Sequence, residues 1–147
     1  MNETDADTRT VVVERDLPHP PDRVWRALTR PELIADWLGK TDFAPVAGHR
    51  FALGFDWGAV DCEVVAVETG RRLTYTWRSG DLDSTVTWTL TPIAPQTDTP
   101  AGAAPGATRL RMEQAGFPPG QPRYYGGARA GWPRFFAALE GVLARTA

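Results

Sequence analysis

The sequence predicts an α+β fold: a twisted antiparallel sheet of about six strands wrapped around one long C-terminal helix, with two short helices after the first strand. Three observations predict it. Near the C-terminus Trp132, Phe135, Phe136, Leu139 and Leu143 recur at i, i+3, i+4, i+7 and i+11, with Arg134, Glu140 and Arg145 opposite. That is one apolar stripe on a helix. Before it, most of the chain alternates apolar and polar residues with period two, the mark of strands with one buried face. The connectors between those segments are short, which favours an antiparallel meander over parallel crossover units.

The elements follow in order. Thr10 to Leu17, centred on Val11, Val12 and Val13, reads as the first strand and is stopped by Pro18, Pro20 and Pro21. Proline suits a helix start, and Val24, Trp25 and Leu28 mark a short helix. Thr29-Arg30-Pro31-Glu32 has capping-box spacing, with Thr29 as N-cap of a second short helix and Glu32 reaching back. Leu33, Ile34, Trp37 and Leu38 supply its apolar side, and Gly39 its stop.

The period then becomes two. Phe51, Leu53 and Phe55 alternate with Ala52 and Gly54, and Cys62, Val64 and Ala66 with Glu63, Val65 and Val67. Leu73, Tyr75 and Trp77 alternate with Thr74, Thr76 and Arg78; Val86, Trp88 and Leu90 with Thr85, Thr87 and Thr89. Leu110 and Met112 alternate with Arg109, Arg111 and Glu113. Turn residues sit between them at Phe55–Gly58, Glu68–Arg71 and Ser79–Asp81. Residues 92–107, rich in Pro, Ala, Thr and Gly, read as a flexible loop, and Gly116–Pro122 as the link to the last helix. Pro133 has two readings: it lies in the first turn of that helix, or it kinks a longer one beginning near Tyr124 and made pliable by Gly126, Gly127 and Gly131. Residues 1–9 read as a flexible tail, and 10–147 as one domain.

Composition removes several classes of function. The formal charge is −2, and no basic run interleaved with aromatics marks a nucleic-acid surface. No stretch approaches the ~18 apolar residues of a membrane span, and no apolar segment follows the polar N-terminus as in a signal peptide. The lone Cys62 excludes an internal disulfide and fits a reducing compartment, so the expected location is cytoplasmic. His19 and His49 lack metal-ligand spacing, no nucleophile-elbow, phosphate-loop or dinucleotide motif is present, and no metal or cofactor is expected.

Local motifs in this order carry a resemblance. They are 21–29 (PDRVWRALT), 31–33 (PEL), 36–39 (DWLG), 72–77 (RLTYTW), 85–90 (TVTWTL), 106–110 (GATRL) and Gly131-Trp132. Together they resemble the START-like superfamily, also called SRPBCC or the helix-grip (Bet v 1-like) fold. Within it they are similar to the branch of activator of Hsp90 ATPase homologue-like proteins, over about Val11 to Leu143. Two departures stand out. Gly48-His49-Arg50 replaces a Gly-Gly pair found in many relatives, and the insertion before Gly106 is longer than a tight turn.

The resemblance implies a cavity between the concave sheet face and the C-terminal helix. Residues expected to face it are Trp37, Phe43, Phe51, Phe55, Tyr75, Trp77, Trp88, Met112, Phe117, Trp132, Phe135, Phe136 and Leu139; the bland alternative is that they fill a core. The leading expectation is a carrier, sensor or sequestering protein for a small apolar or aromatic molecule. A second reading is an enzyme of cyclase or hydrolase type, because this superfamily hosts both binders and catalysts. Its only seed is Glu63 with Arg78 as partner, which requires a strand phase that turns Glu63 inward; the ordinary phase leaves Asp61 and Glu63 as surface charges. A third reading, an interaction module with a chaperone partner, follows from the Hsp90-activator resemblance alone. Neither ligand identity nor oligomeric state is read from the chain.

Overall fold

The computed structural model describes residues 9–80, 82–93 and 106–145. Strand β1 (Arg9–Leu17) leads to helices α1 (Pro21–Thr29) and α2 (Pro31–Trp37). Six strands follow: β2 (Lys40–Thr41), β3 (Arg50–Phe55), β4 (Gly58–Glu68), β5 (Arg72–Ser79), β6 (Leu82–Ile93) and β7 (Ala107–Phe117). Helix α3 (Pro122–Arg145) closes the chain. The sheet is antiparallel at every pairing, in the order β1-β7-β6-β5-β4-β3-β2. This is the expected α+β helix-grip arrangement, with a seventh strand added. That strand is only two residues long, too short to show a period, and pairs Lys40 with Gly54 and Thr41 with Leu53.

Several local expectations are corrected. Thr29 does not cap α2: it is the last residue of α1, and its Oγ1 donates to the Trp25 carbonyl at 2.8 Å. The N-cap is Arg30, at φ −93 and ψ 122, without a side-chain cap bond. Pro31 explains this, because proline drives the residue before it into extended backbone. In β4 the alternation breaks at a bulge between Val64 and Ala66. The extra residue flips the phase, so Val67 packs on the core while Ala66 is exposed. Gly116 and Phe117 belong to β7 rather than to the link, and Phe117 is fully buried. Pro133 lies well inside α3, so the reading that places it in a first turn does not hold. Strand entry at Gly48 uses one positive φ, +88, and His49 carries none.

Pro92, Ile93 and Ala107 extend β6 and β7 into the expected loop, as Arg9 extends β1 into the expected tail. Residues 94–105 of the loop and 1–8 of the tail lie outside the described residues. Among the described residues no helix is long and apolar enough to cross a membrane.

The inward sheet face and α3 share a core centred on Trp88, which has no exposed surface. Its ring meets Trp37 and Trp132 edge-on, each at 5.6 Å, and Phe136 at 5.7 Å. The Trp88 and Trp37 indoles donate to the Tyr75 hydroxyl (2.9 Å) and the Ala27 carbonyl (2.8 Å). One glycine is demanded by close approach: a Cβ on Gly39 would lie 2.7 Å from the Gly54 carbonyl oxygen, where the chain leaving α2 crosses β3.

Candidate ligand cavity

Helix α3 has two unlike halves. From Trp132 onward its sheet-facing residues are Trp132, Phe136, Leu139, Val142 and Leu143, all buried. Before Trp132 the positions facing the sheet are Arg123, Tyr124, Gly127, Ala128 and Gly131, spaced on one helical face. Three of these carry a methyl group or nothing. The first half therefore spans the sheet without filling the space beneath it, and leaves a cavity of about 340 Å³. A Cβ on Gly127 would meet no atom within 4 Å.

The opposite walls come from the sheet. Leu82, Gln114 and Phe117 join Trp77 and Ser79 of β5, and the β3–β4 hairpin adds Phe55 and Trp57. The rings form a continuous run. Trp57 stacks on Phe55 at 5.1 Å with planes 3° apart. Phe55 lies 5.9 Å from Trp77 and 6.0 Å from Phe135, and Trp77 lies 5.4 Å from Trp132. Trp57 is 66% exposed, so this run reaches solvent at the hairpin.

One polar chain crosses the floor. Trp132 Nε1 donates to Gln114 Oε1 at 2.7 Å, Gln114 Nε2 donates to Ser84 Oγ at 2.9 Å, and Ser84 Oγ donates to the Trp77 carbonyl at 2.9 Å. The directions are determined. An indole N–H only donates, so the amide oxygen faces Trp132 and its NH₂ faces Ser84. Gln114 is 1% exposed, and these bonds satisfy it where an isolated amide would be costly.

The structure brings Phe55, Trp77, Phe117, Trp132 and Phe135 to the cavity wall. It places Trp37, Phe43, Phe51, Tyr75, Trp88, Met112, Phe136 and Leu139 in the packed core instead. Phe51, Tyr75, Trp88 and Met112 lie on the inward sheet face that alternation identifies, but beneath the half of α3 or beside the short helices where large side chains leave no room. The wall residues not foreseen are Trp57, Ser79, Leu82, Gln114, Arg123, Tyr124 and Ala128. Gln114 carried a signal, because it continues the buried phase of Leu110 and Met112. Gly127 and Gly131, which the sequence offers as sources of pliability, are here the reason for the space.

The candidate acid–base pair is not in the cavity. Cys62 and Val64 occupy the inward face of β4, so Glu63 between them points outward. There it meets Arg50 at 3.4 Å, while Arg78 meets Asp83 at 3.3 Å. The inward phase for Glu63 is thus corrected. Among the described residues the cavity wall holds no carboxylate, imidazole or thiol, and one charged side chain, Arg123. Burial, with the Asp61 charge adding to it, pushes the Cys62 thiol up to about 12. Burial likewise raises the Tyr75 phenol, although the Trp88 N–H opposes this. Both groups are neutral at physiological pH and unsuited to nucleophilic attack. Among the described residues no three His, Cys, Asp or Glu side chains converge on a metal site.

With this geometry in view, comparison defines the class. Residues 18–144 match the family described as "Activator of Hsp90 ATPase homolog 1-like protein", and the chain belongs to that family. Protein MLL2253 from Mesorhizobium loti is 53% identical, with a TM-score of 0.84 over 95% of this chain and 99% of that one. DynU16, a protein in the dynemicin biosynthetic locus, is 29% identical with a TM-score of 0.74; the match covers 92% of this chain but 47% of DynU16. CalU16 from Micromonospora echinospora shares the fold at 23% identity and a TM-score of 0.75, over 92% of this chain and 76% of that one. No curated protein matches the chain. The family and fold support a ligand-binding scaffold.

Proposed function

We propose that this protein binds a small apolar or aromatic molecule in the space between the first half of α3 and the sheet, as a carrier, sensor or sequestering protein. The observation that carries this reading is the 340 Å³ cavity walled by Phe55, Trp77, Phe117, Trp132 and Phe135 and opened by Gly127, Ala128 and Gly131. Its size and apolar lining suit a small ligand. Binding is favoured over catalysis because the described wall residues include no carboxylate, imidazole or thiol to act as acid, base or nucleophile. The biosynthetic setting of DynU16 supports a small-molecule cargo.

The test is titration with the neutral fluorophore N-phenyl-1-naphthylamine. The expected result is saturable one-to-one binding, abolished in Gly127→Leu, whose side chain occupies the cavity. Binding that persists unchanged in Gly127→Leu would place the probe elsewhere and remove the cavity as the site.

A further inference from the structure

Among the described residues the cavity wall carries one charged side chain, Arg123, which sits in the first turn of α3 at the solvent end. Among the described residues Arg123 forms no ion pair; the five that exist involve Arg50, Arg78, Arg109 and Arg111. The partial positive charge of the α3 N-terminus lies at the same end. At the buried end Gln114 supplies a second feature. Its amide nitrogen carries two hydrogens, and the hydroxyl of Ser84 takes one. The other remains for an acceptor, and the orientation of the amide is held by Trp132.

We infer that the preferred ligand is an aromatic anion: a flat ring system with a hydroxyl or carbonyl oxygen toward Gln114 and a carboxylate or sulfonate-like group at Arg123. This rests on the cavity being a ligand site, as proposed above. The aromatic run from Trp57 to Trp132 covers the faces of such a molecule, and the two polar ends fix its direction. A cation is disfavoured, because it would face Arg123, which no carboxylate among the described wall residues offsets. At a packing density of about 0.75, the cavity holds roughly 250 Å³ of ligand, the size of a few fused rings.

Two probes isolate the charge. 1-Anilinonaphthalene-8-sulfonate and N-phenyl-1-naphthylamine share one aromatic skeleton and differ by the sulfonate. The wild-type protein is expected to bind the anion about fivefold more tightly, the scale of a solvent-screened ion pair. Arg123→Gln should erase that preference by weakening the anion alone, Arg123→Lys should retain part of it, and Arg134→Gln, on the exposed side of α3, should leave it intact. Equal affinity of wild type for both probes, or a preference that survives Arg123→Gln, would overturn the inference while leaving the cavity as a binding site. Failure of wild type to bind either probe would overturn the inference together with the function it rests on.

Discussion

The Trp132 indole and the Gln114 amide, joined at 2.7 Å, tie the middle of α3 to β7 at the floor of the cavity. Both are almost fully buried, so neither finds water if the other is removed. Gln114→Leu should therefore cost about 1–3 kcal/mol in urea unfolding, the penalty for a stranded indole N–H and a weakened Ser84. Adding Trp132→Phe should cost less than the sum of the two single changes, because it removes the stranded donor. Strict additivity would show that the bond contributes nothing.

Wall and core aromatics should differ in what they hold. Trp88 is enclosed on all sides, and Trp88→Ala is expected to cost about 3–5 kcal/mol. Phe135 faces the cavity and is half-buried, so Phe135→Ala loses fewer contacts and should cost less than half as much. Equal losses in denaturant titrations would mean that the space beside Phe135 is filled.

Two glycines should respond in opposite directions to alanine. Gly127→Ala places a methyl group in open space on a helix and should stabilise by about 0.5–1 kcal/mol. Gly39→Ala forces a carbon against the Gly54 carbonyl and should destabilise by about 1–3 kcal/mol. Thermal unfolding of the two variants checks both signs at once.

Cys62 should be silent in the native state. With its thiol pushed up to about 12 by burial, it should resist a disulfide reagent at neutral pH and react fully in urea. The sign of the linkage follows. In the unfolded chain the thiol ionises near 9.0, whereas the folded protein holds it neutral. Its contribution to stability is complete below pH 9.0 and is lost as pH rises toward about 12. Cys62→Ala should flatten that part of the stability–pH curve.

The architecture was legible because period two and period 3.6 are strong signals wherever segments run for several residues. The inward residues of β5 and β6, Leu73 to Trp77 and Val86 to Leu90, follow from alternation alone. Alternation failed at Val65, where one inserted residue reverses the faces and leaves no mark in composition. The capping reading failed because Thr29-Arg30-Pro31-Glu32 satisfies two rules at once, and the steric rule imposed by Pro31 prevailed.

The site was less legible than the fold for a different reason. A cavity is defined by side chains that are missing as much as by those present. The aromatic walls attract attention in a sequence; Gly127, Ala128 and Gly131 do not, although they decide that Trp77 and Trp132 face open space. Gln114 was obscured by its polarity, since a buried amide breaks the apolar pattern that otherwise identifies the inward face of β7.

The division of α3 also separates two kinds of inheritance. The buried residues after Trp132, namely Phe136, Leu139, Val142 and Leu143, answer to folding, and a change at any of them is felt throughout the core. Residues 123–131 answer to the occupant, and each added carbon at 127, 128 or 131 trims the available space by a small, graded amount. A protein built this way can be retuned for a new molecule by a few substitutions along nine consecutive positions, while the tryptophan-centred interior that keeps it folded stays as it is.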